Sequence, residues 1–483
     1  MQIQQEIRRG TIIVFLTKYS GIIIGLLVNS FLARLLSPKE FGIVAIVTVF
    51  ITFFNILSEI GIGVAIVQDQ TLTDKDSSDL FKISIFISLI LAIAFALFSY
   101  PLAWFYDNNA YVLICQLLSV NVFFSALTVV PKSLMLKSKQ FKVLGVIEVI
   151  SALVTGILAI ILAIKGASYF SIIWRSIVNS VLIFILYLFF SEIKIKKGLT
   201  LLGIRKIARY SFNQFAFNLI NYFSRNLDKI LIGKYMGSQF LGIYNQSYQL
   251  MMYPIANLTN VITPVLHPIL AKYQDNKAVI FKEYVKVVEI LAILGIPISI
   301  FIFFTSEEII LILLGNKWLE VVPILRILSM SVWIQMILSS SGSIFQAAGR
   351  TDLLFVNGLI AAVVMVSAIT LGVVFFNSLE LTSYLLVCAF SINFFQGFYI
   401  LINKVLKQPS WEFIEVIIKQ IPMAGVLIVS FYAMSYYEIR ILKPDSVILS
   451  FCLKLLLLLV ISLTFNLKYL KKGLNTFHKK SSV

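Results

Sequence analysis

The chain has 483 residues, 59% of them hydrophobic and only 13% charged, about half the charged share of an ordinary soluble domain. Forty Lys and Arg against 23 Asp and Glu leave a net charge of +17. The basic residues lie in short loops between apolar runs, such as KSKQFK (137–142), which argues against a nucleic-acid-binding domain and fits contact with anionic membrane lipid. Cys115, Cys388 and Cys452 fall in three different apolar runs, so they read as small packing residues with no disulfide framework or metal-site spacing.

Apolar runs of about 20 residues, each enough to cross a hydrocarbon core as a helix, predict an all-α integral membrane protein. Fourteen spans are expected, at 11–32, 42–66, 81–104, 111–135, 142–164, 168–190, 209–232, 241–270, 283–304, 319–346, 353–376, 380–402, 412–436 and 446–467. The first follows IRRG (7–10) but has no small-residue cleavage site, so it reads as a retained helix. With residues in the end turns counted in the adjoining loops, 27 of the 40 basic residues share the side of the N-terminus, 7 lie opposite and 6 lie within spans. The positive-inside rule then puts both termini in the cytoplasm, in the cytoplasmic (inner) membrane.

Polar residues recur at helical spacing along these spans. The first holds Lys18 with Gly21 and Gly25 on one side; the second holds Thr48, Thr52, Asn55 and Glu59; the fourth holds Asn121, Ser125, Thr128 and Lys132. Glu148 and Glu289 lie near inner helix ends and read as interfacial. Arg175 in the sixth span and Arg326 in the tenth lie toward the outer side, where they either line a cavity or meet headgroups. The seventh span carries Gln214, Asn218, Asn221, Arg225 and Asp228 on one face, and the eighth carries Gln246, Gln249, Tyr253, Asn257 and Asn260. Two adjacent wet faces imply a water-filled cavity, since intramembrane charge is costly unless it meets water or a partner. Asp228 either neutralises Arg225 or, like Glu59, titrates or holds a coupling cation. Lys454 reads as structural or lipid-facing.

The chain also resembles itself. An offset of 200 residues sets ARLLSPKEFGIV (33–44) against GKYMGSQFLGIY (233–244), so that Gly42 meets Gly242. An offset of 210 pairs MLKSKQFKVL (135–144) with FQAAGRTDLL (345–354). The expected organisation is a six-helix lobe over 1–195, a second over 196–405, and two additional helices with a basic tail over 406–483, with EIKIKKGLTLLGIRK (192–206) joining the lobes. Six spans per lobe makes them parallel repeats about an axis along the membrane normal.

The turn LSPKEFG (36–42), the run LDKILIGKYMG (227–237) and the two six-helix halves resemble the polysaccharide flippases of the multidrug/oligosaccharidyl-lipid/polysaccharide exporter superfamily, the lipopolysaccharide and exopolysaccharide translocases above all. That resemblance covers essentially the whole chain. It implies a V-shaped, MATE-like transporter that moves undecaprenyl-diphosphate-linked sugar units across the membrane by alternating access. On that footing the diphosphate would meet Lys18 and Arg225, with Arg175 or Arg326. Asn218, Asn221, Gln246, Gln249 and Asn257 would meet sugar hydroxyls. Membrane lipid and polysaccharide polymerase machinery are the further partners it implies, with no cofactor and no nucleic acid.

Two rival readings stand beside it. A cation-coupled exporter of small molecules would share the fold, but its cationic cargo would favour carboxylates, whereas the spans hold more basic than acidic groups. A membrane enzyme of polysaccharide synthesis would need acids and histidines at the membrane face. The only histidines, His267 and His478, have no acidic partner nearby in sequence. There is no GxxxxGK[ST] loop for ATP.

Overall fold

The computed structural model describes residues 2–58, 63, 66–67, 72–193, 195–196, 198, 222, 226–437 and 446–480, with the side chains of 2–14, 260–262, 264–265 and 467–480 left undescribed. Every described element is helical. Eleven described helices are long and apolar enough to cross a membrane, or twelve if a pair bent by 55° at residues 330–331 is one span. The seventh expected span lies mostly outside the described residues, and the eighth corresponds to a broken helix that is not among the twelve. Trp104, Phe189 and Phe395 are each more than 70% exposed; aromatic surface of that extent belongs against lipid rather than water.

The chain divides into two compact units, Met1–Gly242 and Ile243–Val483. The first contains α1 (Gln2–Leu35), α2 (Pro38–Ser58), α3 (Asp74–Tyr106), α4 (Ala110–Leu127), α5 (Val129–Lys137), α6 (Phe141–Ile164) and α7 (Phe170–Phe190), followed by a helical segment at 226–235. Helix α3 begins where Thr73 and Asp76 form a reciprocal capping box, which satisfies two backbone donors at once. It ends where Asp107 turns left-handed at φ 52°. Glu40 does the same work at the start of α2, accepting from the Ser37 N–H at 2.7 Å and from the hydroxyl of Ser168.

Glycines set how closely these helices approach. A β-carbon on Gly145 of α6 would lie 2.5 Å from Thr17 Oγ1 of α1, and one on Gly156 would overlap Val28. Each step is eleven residues, three turns, in the same direction, so α1 and α6 run parallel in fixed register. A second close approach joins α2 to the first turn of α8 (Ser238–Pro254). A β-carbon on Gly42 would overlap the Ser238 carbonyl, and one on Gly242 would overlap the Pro38 carbonyl. The contact is reciprocal, and its equivalent residues differ by the offset that aligns the two glycines in the sequence. Residues related by the internal repeat thus pack on one another.

The second unit continues α8 through a π-helical turn (Ile255–Thr259) into α9 (Asn260–Leu270), then α10 (Lys277–Phe304), α11 (Ser306–Leu313), α12 (Val321–Ser329) and α13 (Val332–Ala347). Helices α14 (Thr351–Thr370), α15 (Leu379–Tyr399), α16 (Ser410–Ile418), α17 (Ile421–Tyr437) and α18 (Val447–Lys480) complete it. Pro254 has no N–H for the helix ladder, and the π turn begins at the next residue, a local cause for the break. Phe301 of α10, Met423, Leu427 and Phe431 of α17, and Leu458 and Ile461 of α18 share one buried cluster. The last two membrane helices are therefore packed into this unit's core.

Candidate functional site

Of the residues singled out from the sequence, Glu59, Gln214, Asn218, Asn221 and Arg225 lie outside the described residues, as does the side chain of Asn260. In the first unit Lys18 is exposed on α1 and Arg175 is half-buried on α7. Asp228 is buried at 4% exposure, and its Oδ1 accepts from the Lys229 N–H at 2.8 Å. The Lys229 ammonium donates to Asn226 Oδ1 at 3.2 Å, so this lysine is engaged with its own helix.

In the second unit Gln246 is 2% exposed whereas Gln249, three residues on, is exposed. The stripe expected on this span runs into the π turn, which inserts a residue into the helical period and rotates everything beyond Pro254. Asn257 lies in that turn and donates Nδ2 to the Tyr253 carbonyl at 2.8 Å. Side-chain donation to an interrupted ladder is how membrane helices tolerate a break. Thr259 donates to the Met336 carbonyl of α13 at 3.4 Å, tying the broken helix to the lower half of the bent pair. Arg326 is exposed near the end of α12, its guanidinium 5.9 Å from the Phe303 ring.

Three polar clusters emerge that the sequence reading did not assemble. In the first unit Lys132 Nζ lies 3.5 Å from Glu148 Oε1, and the Tyr187 hydroxyl donates to that same oxygen at 3.1 Å. These groups come from α5, α6 and α7. In the second unit Lys454 of α18 pairs with Glu308 of α11, with side chains only 5% and 12% exposed, and Ser450 donates to Glu308 at 2.9 Å. Lys454 thus has a structural role, with its carboxylate partner 146 residues away in sequence.

The third cluster lies between α14 and α15. Gly372 abuts Thr382, Ala361 accepts from Asn393 Nδ2 at 3.5 Å, and a β-carbon on Gly397 would lie 3.2 Å from Asn357 Oδ1. Each step along α14 is matched by an equal step back along α15, an antiparallel register that converges Asn357, Asn393 and Gln396. The buried Oδ1 atoms of both asparagines and both amide atoms of Gln396 have no hydrogen-bond partner among the described residues. The spacing of Asn393, Gln396 and Gly397 carried the face; only the register supplied Asn357. No group of three or more His, Cys, Asp or Glu able to hold a metal occurs among the described residues.

A membrane protein of two helical units with broken spans and charged groups among apolar helices has the construction of a transporter. The family model described as "Polysaccharide biosynthesis protein" matches residues 31–323, more than half the chain, and the chain belongs to that family. It is 28% identical over 306 residues to the teichuronic acid biosynthesis protein TuaB of Bacillus subtilis, a match spanning 63% of each chain. It is 24% identical over 391 residues to the lipopolysaccharide biosynthesis protein WzxC of Escherichia coli, covering 79% of this chain and 78% of the other. Its fold is similar to that of the lipid II flippase MurJ in an inward closed conformation, with TM-score 0.73, 15% identity, and coverage of 96% of this chain and 100% of that one. It also resembles an inward-facing multidrug resistance MATE family transporter of the MOP superfamily, with TM-score 0.61, 15% identity, and coverage of 80% and 95%. The expected MATE-like fold is found.

Proposed function

We propose that this protein is a flippase that carries an undecaprenyl-diphosphate-linked oligosaccharide, the repeat unit of a surface polysaccharide, across the cytoplasmic membrane by alternating access. The observation that carries the reading is the combination of a polysaccharide-biosynthesis family match with a MurJ-like transporter fold. The charge balance supports it: cationic residues outnumber acidic ones within the spans, which suits phosphate rather than a cationic drug. Lys18 and Arg225 meet the diphosphate, with Arg175 or Arg326. Asn218, Asn221, Gln246, Gln249 and Asn257 meet the sugars. Asp228 or Glu59 serves coupling. Lobes over 1–195 and 196–405 move against one another, with 406–483 adding two helices and a cytoplasmic tail, and both termini face the cytoplasm.

Flipping needs no covalent chemistry, so the protein is not an enzyme on this reading. A diphosphate cannot cross hydrocarbon unaided because it would lose its hydration, and fixed cations and amides replace that hydration. Deleting the gene and restoring it on a plasmid tests the proposal, with surface polymer and the leaflet of the lipid-linked precursor as readouts. Loss of polymer with precursor trapped on the cytoplasmic face is expected. Normal polymer with no trapped precursor would overturn the function.

A further inference from the structure

The Lys132, Glu148 and Tyr187 cluster has more than a structural character. Its carboxylate and ammonium are about half exposed, at 54% and 48%, although both sit in membrane-spanning helices. Lys132 follows a break in the fourth span: α4 stops at Leu127, the Thr128 hydroxyl donates back to Ser125 O at 2.6 Å, and Pro131 removes one N–H from the ladder. Tyr187, by contrast, is 1% exposed and packs with Met135, Leu144 and Ile147, so it holds Glu148 from a fixed position.

The ion pair itself is loose. At 3.5 Å it exceeds the roughly 2.8 Å of a tight charge-assisted bond. Both partners reach Glu148 Oε1, and Oε2 has no hydrogen bond among the described residues. A third charge lies at the same level. Thr17 faces Gly145 and Val28 faces Gly156, so Lys18 stands opposite Val146, about 3 Å of helix rise from Glu148. Lys18 is exposed and has no ion pair among the described residues. Two ammonium groups therefore share a level with one carboxylate, a cationic surplus that an anion would neutralise.

We propose that Lys132 and Glu148 form a phosphate-exchange site: Glu148 holds the Lys132 ammonium in the unloaded protein, and a phosphate-bearing lipid headgroup takes that ammonium over. Phosphate brings more charge and more acceptor oxygens than one carboxylate oxygen, so it wins Lys132, while Tyr187 keeps Glu148 in place. The assignment rests on the flippase reading for the identity of the cargo; the chemistry is shared with phospholipid headgroups.

The test uses the full-length protein in maltoside micelles, with farnesyl diphosphate, farnesol and phosphatidylglycerol as probes and affinity read by calorimetry. Wild type is expected to bind farnesyl diphosphate and not farnesol. Lys132→Ala should weaken binding about tenfold, the equivalent of losing one charged hydrogen bond worth about 1.4 kcal/mol. Lys132→Arg should retain binding. Glu148→Gln should tighten it by removing the competitor, and the double variant should behave as Lys132→Ala alone. A Lys132-dependent affinity for phosphatidylglycerol as well would support the site and identify a phospholipid as a natural occupant. Equal affinity in wild type and Lys132→Ala, or weaker binding in Glu148→Gln, would overturn the site while leaving the flippase reading intact. Failure of wild type to bind farnesyl diphosphate would overturn the site, while the flippase reading is decided separately by the polymer and precursor assay.

Discussion

Removing Glu308 isolates what ties the C-terminal helices to their unit. Its carboxylate meets Lys454 and Ser450, and both charged side chains are nearly inaccessible. Glu308→Ala leaves a buried ammonium on α18 without the carboxylate it faces. Breaking one side of such a pair costs about 3 kcal/mol or more, whereas replacing both partners by apolar residues of similar volume is close to neutral. At roughly 2 °C per kcal/mol for a unit of about 240 residues, the single variant should melt about 6 °C lower. Glu308→Leu with Lys454→Met should return to within about 2 °C of wild type. The assay is a four-corner cycle of melting temperatures in detergent, with tryptophan fluorescence as readout. If both single variants melt within about 1 °C of wild type, or the cycle shows no coupling, the pair is not the buried contact described.

Four further outcomes are expected, three of them from the helix contacts. Gly42→Val should destabilise the protein by about 1–3 kcal/mol, because the new side chain meets the Ser238 carbonyl, which cannot rotate away; wild-type melting would refute the contact. Gly145→Leu should destabilise by a similar amount, about 1–3 kcal/mol, and Thr17→Ala in that background should recover part of it, as read by melting temperature. Asn393→Leu removes an amide whose Oδ1 has no partner, so stability should change by less than about 1 kcal/mol; a large loss of melting temperature would refute that bookkeeping. Lys18→Ala and Arg225→Ala, made separately, should each abolish export at near-normal membrane abundance; normal export from both would sink the proposed diphosphate site.

The membrane-protein class and most of the span positions were legible in the sequence, because lipid imposes a one-dimensional rule. Each helix must satisfy its own backbone and present about 20 apolar residues, whatever its neighbours do. The 200-residue offset aligns Gly42 with Gly242, and the structure brings those two glycines together. On the eighth span Gln246 is buried and Gln249 exposed within one unbroken helix, a difference set by what each meets in the fold, and beyond Pro254 a π turn breaks the helical period.

The sequence alone thus determined which segments cross the membrane and where charge enters them, both properties of single helices. Which charges and amides meet was decided only by tertiary structure. Glu308 and Lys454 are 146 residues apart, and nothing local pairs them. Lys132, Glu148 and Tyr187 come from three helices, and Asn357 joins Asn393 only through the antiparallel register of α14 and α15. Helix packing in lipid is fixed by small residues that let backbones approach, and the choice of partner for each glycine is a property of the folded arrangement rather than of its neighbours in the chain.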